Sequence, residues 1–484
     1  MNSKSIRSYL SDLPVVCGNS GFGGNANTRR CEPFAANLKL AVFALPCLLT
    51  ACNLVPDFQQ PVAEVPDQWR EETEAKPNSQ IQPDWWSTFG SDQLNRLVQE
   101  ALSYNNDLAA AGQRIEQARA QAKIAGADLW PAVGLDGDYA GTHNEGGETR
   151  VKSGRFSVSY EVDLWGANRA RRDAGEARLL GEVYARDALQ LVVMADVAQA
   201  YFDLLAIKER KRIAEDFLRN VDDVLDIVDA RFRAGAVSAV DLAQQQTERA
   251  TARANLDLLI QQQALAENTL AILLGHPPAS VEPGNERFAD IVMPSIQPQQ
   301  PAALLQRRPD VRQVEMQLKA ANADVGIALA AFYPKLQLNL DTVLANPQPA
   351  GVALAMAANL AQPLFQGGRL EGGLADAKAR NAELVEIYQQ TLLTAFKEVE
   401  DAVAIRSNSR RRLQALRLAV EKAREAFQIS QEQYRVGAID YQTLLNTQRS
   451  LLSAENSEVQ ARLDVLVALV QLYKALGGGW SPEV

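Results

Sequence analysis

Residues 231–275 and 433–477 repeat one another. The first opens RFRAGAVSAVDLAQQQ and the second QYRVGAIDYQTLLNTQ, so that Arg233, Gly235 and Leu242 fall on Arg435, Gly437 and Leu444 at a constant offset of 202. Each copy is a long helical pattern interrupted by one sharp turn. Gly235 and Gly437 supply the left-handed residue that ends a helix at low cost. Ser238 and Asp440, three residues on, are natural caps for the next helix. Each copy therefore reads as a helical hairpin. A chain of 484 residues has room for several domains, but a tandem duplication points to one interlocked architecture.

The rest of the chain follows the same doubling. A helical pattern over 92–129 is stopped by Pro131, and one over 301–332 by Pro334. After each proline the period changes from helical to two. Val133, Leu135 and Tyr139 alternate with polar residues or glycine, and after a Gly-rich polar loop at 141–154 so do Phe156, Val158, Tyr160, Val162 and Leu164. In the second half, Leu336, Leu338 and Leu340 alternate with polar residues, then Val352, Leu354, Met356 and Leu360 with Ala and Asn. These read as β-hairpins at 132–164 and 335–361, each strand apolar on one face. Four such strands match membrane β-strands. Two bare edges are not tolerated in lipid, so the strands would close only with those of other copies. No apolar run long enough for a transmembrane helix lies beyond the leader.

Each hairpin is followed by the longest helical patterns, 170–233 and 370–435, each about 95–100 Å if continuous. The last helix carries Leu445, Leu452, Val459, Leu466 and Tyr473 at strict heptad spacing, a coiled-coil seam. The equivalents in the first half, Ala243, Ala250, Asp257, Ala264 and Ala271, suggest a seam of small residues. The expected organisation is a leader at 1–51, an extended arm at 52–91, a first repeat at 92–276, a Pro-rich connector at 277–300, a second repeat at 301–477 and a tail at 478–484. The fold class expected is mainly α with a membrane β-barrel, the long antiparallel helices forming an α-barrel.

All four cysteines, Cys17, Cys31, Cys47 and Cys52, lie at the front. Arg29, Arg30 and Lys39 precede an apolar stretch that ends Leu49-Thr50-Ala51-Cys52, the layout of an export signal. The Leu-Thr-Ala-Cys ending resembles a bacterial lipoprotein box, which makes Cys52 the expected lipidation site and first mature residue. The signal begins so far along the chain that the start codon is expected downstream of Met1.

Several stretches resemble the outer membrane factor (TolC-like) family, most closely its lipoprotein branch serving resistance-nodulation-division efflux pumps. They are Asp84-Trp85-Trp86 with Phe89, Tyr104-Asn105-Asn106-Asp107-Leu108, Tyr160-Glu161-Val162-Asp163-Leu164-Trp165-Gly166, Arg307-Arg308-Pro309-Asp310-Val311, Ala320-Ala321-Asn322-Ala323, Phe332-Tyr333-Pro334 and the two helical turns. The resemblance implies a homotrimer in outer membrane lipid, with a twelve-stranded barrel and a helical tube crossing the periplasm. It implies a periplasmic adaptor and an inner-membrane pump as partners. It places the adaptor contact at a tip carrying Arg233, Gly235, Ser238, Arg435, Gly437 and Asp440, although Arg233 and Arg435, just before the turns, are also suited to complementing the carboxyl ends of their helices. Where the family often rings its constriction with Asp, this chain has Asn446, with Arg449 one turn on and Asp241 as a possible substitute.

The residues themselves narrow the chemistry. A net charge of −10 argues against nucleic acid as a partner. Two isolated histidines, His143 and His276, and no thiol after Cys52 leave no catalytic set, no metal site and no implied cofactor. Asp136, Asp138, Glu161, Asp163 and Asp341 on the polar strand faces would line a barrel lumen and favour cations. The expected function is a non-enzymatic export channel that passes substrate passively. The alternatives are the exit duct of a type I protein secretion system and a structural coiled-coil envelope lipoprotein.

Overall fold

The computed structural model describes residues 54–62, 64–70, 81–144, 147–278, 284–296, 298, 301–346 and 352–480. The leader, the four cysteines including Cys52, and residues 481–484 lie outside the described residues. The elements run α1 (Asp92–Tyr104), α2 (Asn106–Ala125), β1 (Ala132–Asn144), β2 (Gly147–Val162), α3 (Ala167–Arg233), α4 (Ala239–Leu273), α5 (Pro309–Ala330), β3 (Lys335–Asn346), β4 (Val352–Ala361), α6 (Arg369–Arg435) and α7 (Tyr441–Ala475). The chain is mainly helical, with one antiparallel sheet in the order β1-β2-β3-β4.

The long helices α3 and α6 are 67 residues each, about 100 Å at 1.5 Å per residue. One stretch of α3 is apolar enough to cross a membrane, yet 61% of it is buried inside the protein. Val197, Ala198, Tyr201, Phe202, Leu204 and Leu205 there face the main core, so that stretch is core helix. The core is closed by the short turn Trp85–Phe89. Trp85 stacks on Tyr473 with ring centroids 4.9 Å apart, and Phe89 meets Phe202 at 5.0 Å. Aromatic pairs add about 0.5–1.5 kcal/mol beyond their buried area.

The helix expected over 92–129 is in fact two. Asn105 leaves the helix, caps α2 through Asp107 and Leu108 N–H, and donates from Nδ2 to Leu273 O at the end of α4 (2.8 Å). The helix expected over 301–332 breaks likewise at Arg308, whose Nη1 donates to Ala475 O at the end of α7 (3.1 Å). In both places an orphan carbonyl at a helix end is met by a side chain from the break. Buried Arg308 is in turn held by Asp310 and Glu398, each at 2.7 Å.

The strands reach further than the alternation suggests. The stretch expected as a loop at 141–154 is mostly paired, with His143 opposite Glu148 and Asn144 opposite Gly147. Its apolar face carries Gly141, His143, Arg150 and Lys152 there, so the period-two signal vanishes while the backbone ladder continues. The small-residue seam expected on α4 is also displaced. Of its residues Ala271 is buried, but Asp257 is exposed, and Gln245, Glu248, Ala252, Leu256 and Leu259 are buried along the rest of the helix. The bulkier Leu256 and Leu259 have more apolar area to remove from water, so they turn the helix.

The N-terminal arm lies along α5 and α6. Asn322 Nδ2 donates to Pro56 O (2.7 Å), Gln60 Nε2 to Tyr388 Oη (2.9 Å), and Trp69 packs edge-on to Phe396. Its path depends on Gly326, because a Cβ there would stand 2.9 Å from the Cα of Val55. Gly326→Val is expected to lift the arm without unfolding the helices. Limited proteolysis should then cut within residues 54–70 at least tenfold faster; an unchanged rate would show that the arm tolerates the intrusion.

Candidate functional site

Two sites emerge, one at each end of the helices. At the sheet, residues paired across strands share a face. Val133, Leu135, Phe156, Leu338, Leu340, Met356 and Leu360 lie on one face by register. Leu135 and Met356 are each 82% exposed. Asp136, Asp138, Glu161 and Asp341 lie on the opposite face. Arg155 stands 3.7 Å from Asp341 and Lys335 3.6 Å from Glu161. Four carboxylates against two cations leave that face acidic at half the strength a count of acids suggests. Asp163 does not belong to the row. It lies past the end of β2 and accepts the backbone N–H of Asn168 (3.1 Å) and Arg169 (3.0 Å) at the start of α3, with Arg169 Nε at 3.1 Å. A carboxylate bonded to free N–H groups at a helix start is a cap.

The other end is the tip formed by the α3–α4 and α6–α7 turns. Gly235 and Gly437 both take positive φ, at 75° and 79°. Ser238 forms a capping box with Asp241, whose carboxylate accepts Ser238 N–H at 3.0 Å and Ser238 Oγ at 2.9 Å. Asp241 is thereby committed to the turn. Asp440 caps α7 by accepting Thr443 N–H at 2.7 Å, and hydrogen bonds from the Thr443 side chain and backbone hold its carboxyl below the usual range. Arg233 turns back to Asp229 (2.5 Å) and Arg435 to Glu432 (3.4 Å), both in solvent. The guanidinium that meets a helix end is Arg231. Its Nη1 donates to Tyr434 O (2.7 Å) and its plane lies over the Tyr434 ring.

At the tip, three contacts join one hairpin to the other: Arg231 with Tyr434, Tyr441 with Gln245, and Arg449 with Glu248. Tyr441 Oη donates to Gln245 Oε1 (2.8 Å), and within the first hairpin Gln245 Nε2 donates to Val221 O (2.8 Å). Burial, aided by the charge of Glu248, pushes the Tyr441 hydroxyl up to about 12, so it stays a donor. Arg449 grips Glu248 with two nitrogens, Nε at 3.0 Å. Glu248 is buried, whereas Arg449 is half exposed. Beneath lies a cluster of Val224, Val228, Phe427, Tyr434, Tyr441, Leu444 and Leu445. Of the two constriction residues expected on α7, Asn446 is exposed and accepts from Gln442 (3.1 Å), and Arg449 is tied into the junction. Gln245, Glu248, Arg231 and Tyr434 were missed by reading the sequence alone. A signal for one pair was present, since Glu248 and Arg449 stand at nearly the repeat offset with opposite charge. At the outermost turn Val240 and Val436 are left exposed, at 62% and 79%. Among the described residues no His, Cys, Asp and Glu cluster could hold a metal ion.

Residues 97–276 and 301–478 each match the family model described as outer membrane efflux protein. The chain is 36% identical over 461 residues to the pyoverdine export outer membrane protein OpmQ of Pseudomonas aeruginosa, covering 92% of this chain and 97% of that one. It is 32% identical over 467 residues to the probable efflux pump outer membrane protein TtgC of Pseudomonas putida, covering 92% and 96%. Among solved structures it resembles the outer-membrane channel OprN (TM-score 0.80, 28% identity, 88% of this chain and 99% of that one). It also resembles the open state of the Neisseria gonorrhoeae MtrE outer membrane channel (TM-score 0.80, 26% identity, 88% and 98%).

Proposed function

The chain belongs to the outer membrane efflux protein family, and we propose that it is the exit duct of a tripartite pump, passive in itself and gated at its helical tip. It is an outer membrane efflux channel and not an enzyme. The observation that carries the duct is the sheet: apolar side chains exposed on one face, carboxylates on the other, and unpaired edges at β1 and β4. Lipid satisfies the first face and a wet lumen the second, while the edges need strands from other copies. Three copies supply twelve strands, enough for an open lumen, and their helices, paired as two like halves, continue the duct as a tube. A tether with no lumen has no use for such a sheet. Cys52 carries the lipid in this reading, and two residues later the arm is fixed beside the sheet by Leu54 N–H donating to Trp165 O (3.4 Å).

The tip receives a periplasmic adaptor, itself bound to an inner-membrane resistance-nodulation-division pump. Exposed Val240 and Val436 beside Gly235 and Gly437 offer an apolar docking edge, with Arg233, Arg435, Ser238 and Asp440 around it. The adaptor contact opens a constriction held by the Arg449–Glu248 junction and lined by Asn446. The relatives named for pyoverdine export and for efflux make small compounds the cargo class. Purified protein should migrate as a heat-modifiable trimer that needs detergent and should capture its adaptor; a monomer soluble without detergent would end the duct reading.

The net negative polar face predicts a cation-preferring pore. In planar bilayers under a salt gradient, the reversal potential should favour cations. Replacing Asp136 and Asp138 with Asn should weaken that preference, since two of the four strand carboxylates are lost. Anion preference in the unaltered channel would refute the lumen assignment.

A further inference from the structure

The apolar row of β2 changes character at one point along the strand. Val162, Tyr160, Val158 and Phe156 follow at every second residue, then Gly154, then Lys152 and Arg150, both exposed. The row shares the face of Val133 and Leu135, because Val158 pairs with Val133, Phe156 with Leu135, Lys152 with Tyr139 and Arg150 with Gly141. Its one carboxylate, Glu148, stands one register farther out, opposite His143. Since β2 lies between β1 and β3, strands of other copies joining at β1 and β4 leave this row uncovered.

The level of the change fixes what it meets. From Val162 to Lys152 is ten residues, about 33 Å along a strand and about 25 Å along the membrane normal at a tilt of about 40°. That is the height of a barrel's apolar band, so Lys152 and Arg150 sit where hydrocarbon gives way to headgroups. The helices leave the sheet at the Val162 end, which puts the two cations at the outer leaflet. Tyr139, 64% exposed, marks the same border, with Lys152 Nζ 5.9 Å from its ring centre. Trp130 and Phe365, also exposed, stand at the opposite border, so aromatic residues flank the band on both sides.

We propose that Lys152, Arg150 and Tyr139 form, on each protomer, a binding site for the phosphate-bearing headgroup of an outer-leaflet lipid. This rests on the reading of the sheet as part of a membrane barrel. A phosphate at this level meets a point charge at Lys152 and a fork of donors at Arg150, and the Tyr139 ring supports the Lys152 stem. The acyl chains of the same lipid lie against Phe156, Leu135 and Val133. A soluble anion gains only the charged half of this site and an uncharged lipid only the apolar half.

The test uses the full-length channel in detergent, with lipid A, a phosphorylated acyl disaccharide, as probe and its dephosphorylated form as comparison. The unaltered channel should bind the phosphorylated form roughly 10- to 30-fold tighter, about fivefold for each cation. Lys152→Gln combined with Arg150→Gln should remove most of that difference. Arg155→Gln, which loses a cation from the opposite face, where it stands 3.7 Å from Asp341, should leave it unchanged. Equal binding of the two lipids by the unaltered channel would overturn the proposal without recourse to any variant. So would a loss in Arg155→Gln as large as that of the double variant, because overall charge rather than the site would then attract the lipid. Full competition by inorganic phosphate at the concentration of the lipid would give the cations to soluble anions instead. A monomer soluble without detergent would remove the membrane reading beneath the proposal, which none of the other results does.

Discussion

Gly275→Ala and Gly477→Ala are each expected to prevent assembly of the channel, whereas Gly235→Ala should be tolerated. All three glycines take positive φ, at 76°, 86° and 75°. For an alanine that backbone costs about 1–2 kcal/mol. What separates them is the space around a Cβ. At Gly275 it would stand 2.1 Å from Tyr104 O, and at Gly477 2.1 Å from Arg307 O, while at Gly235 nothing lies within 4 Å. Tyr104 and Arg307 immediately precede the breaks at Asn105 and Arg308, which meet the carbonyls of Leu273 and Ala475. Relieving the overlap means pulling those junctions apart. At Gly477 the cost then includes the ion network of buried Arg308 as well as a steric clash, on the order of 4 kcal/mol or more, and at Gly275 the Asn105 cap as well as the clash. Heat-modifiable migration and thermal unfolding of the three variants side by side would check this. Equal behaviour of Gly235→Ala and Gly477→Ala would mean that backbone conformation alone matters and the close approach does not.

Arg449→Ala is expected to make the channel leak. Glu248 is buried and Arg449 is its charged partner, so truncation leaves a carboxylate in the hairpin junction without a counter-charge. Loss of one partner of a fully buried pair costs about 3–5 kcal/mol. Arg449 is 55% exposed, so solvent already screens the pair and the cost falls to about 1–2 kcal/mol. That still shifts a two-state tip by roughly 5- to 30-fold. The leak can be read as sensitivity of cells to a large antibiotic normally excluded by the outer membrane, and as longer openings in bilayers. Exchanging the two residues, Glu248→Arg with Arg449→Glu, should recover only part of the seal, because the buried position would then hold the longer guanidinium. Full sealing in Arg449→Ala would remove the pair from the gate.

Much of this protein was legible before its structure. Period-two alternation after Pro131 and Pro334, long helical runs and a repeated Gly turn are local signals, written in neighbouring residues. They specified four strands, two helices of great length and the two capped hairpins at Ser238 and Asp440. Where side chains no longer alternate, as at Gly141 and Lys152, the strands continued unseen, because backbone pairing does not depend on the pattern. The break at Asn105 was hidden for a related reason: its amide caps one helix and closes another 168 residues later.

Tertiary structure alone decided what each charge does. Asp163 and Asp241 look in sequence like free acids, and folding spends one on the start of α3 and the other on Ser238. Arg233 and Arg435 stand at the turns, yet Arg231 reaches across to the other hairpin. The sequence determined elements, because these depend on residues within a turn or two. It left partners open, because the energy of a charge or an amide depends on what distant segments bring within 3 Å and how much water they exclude.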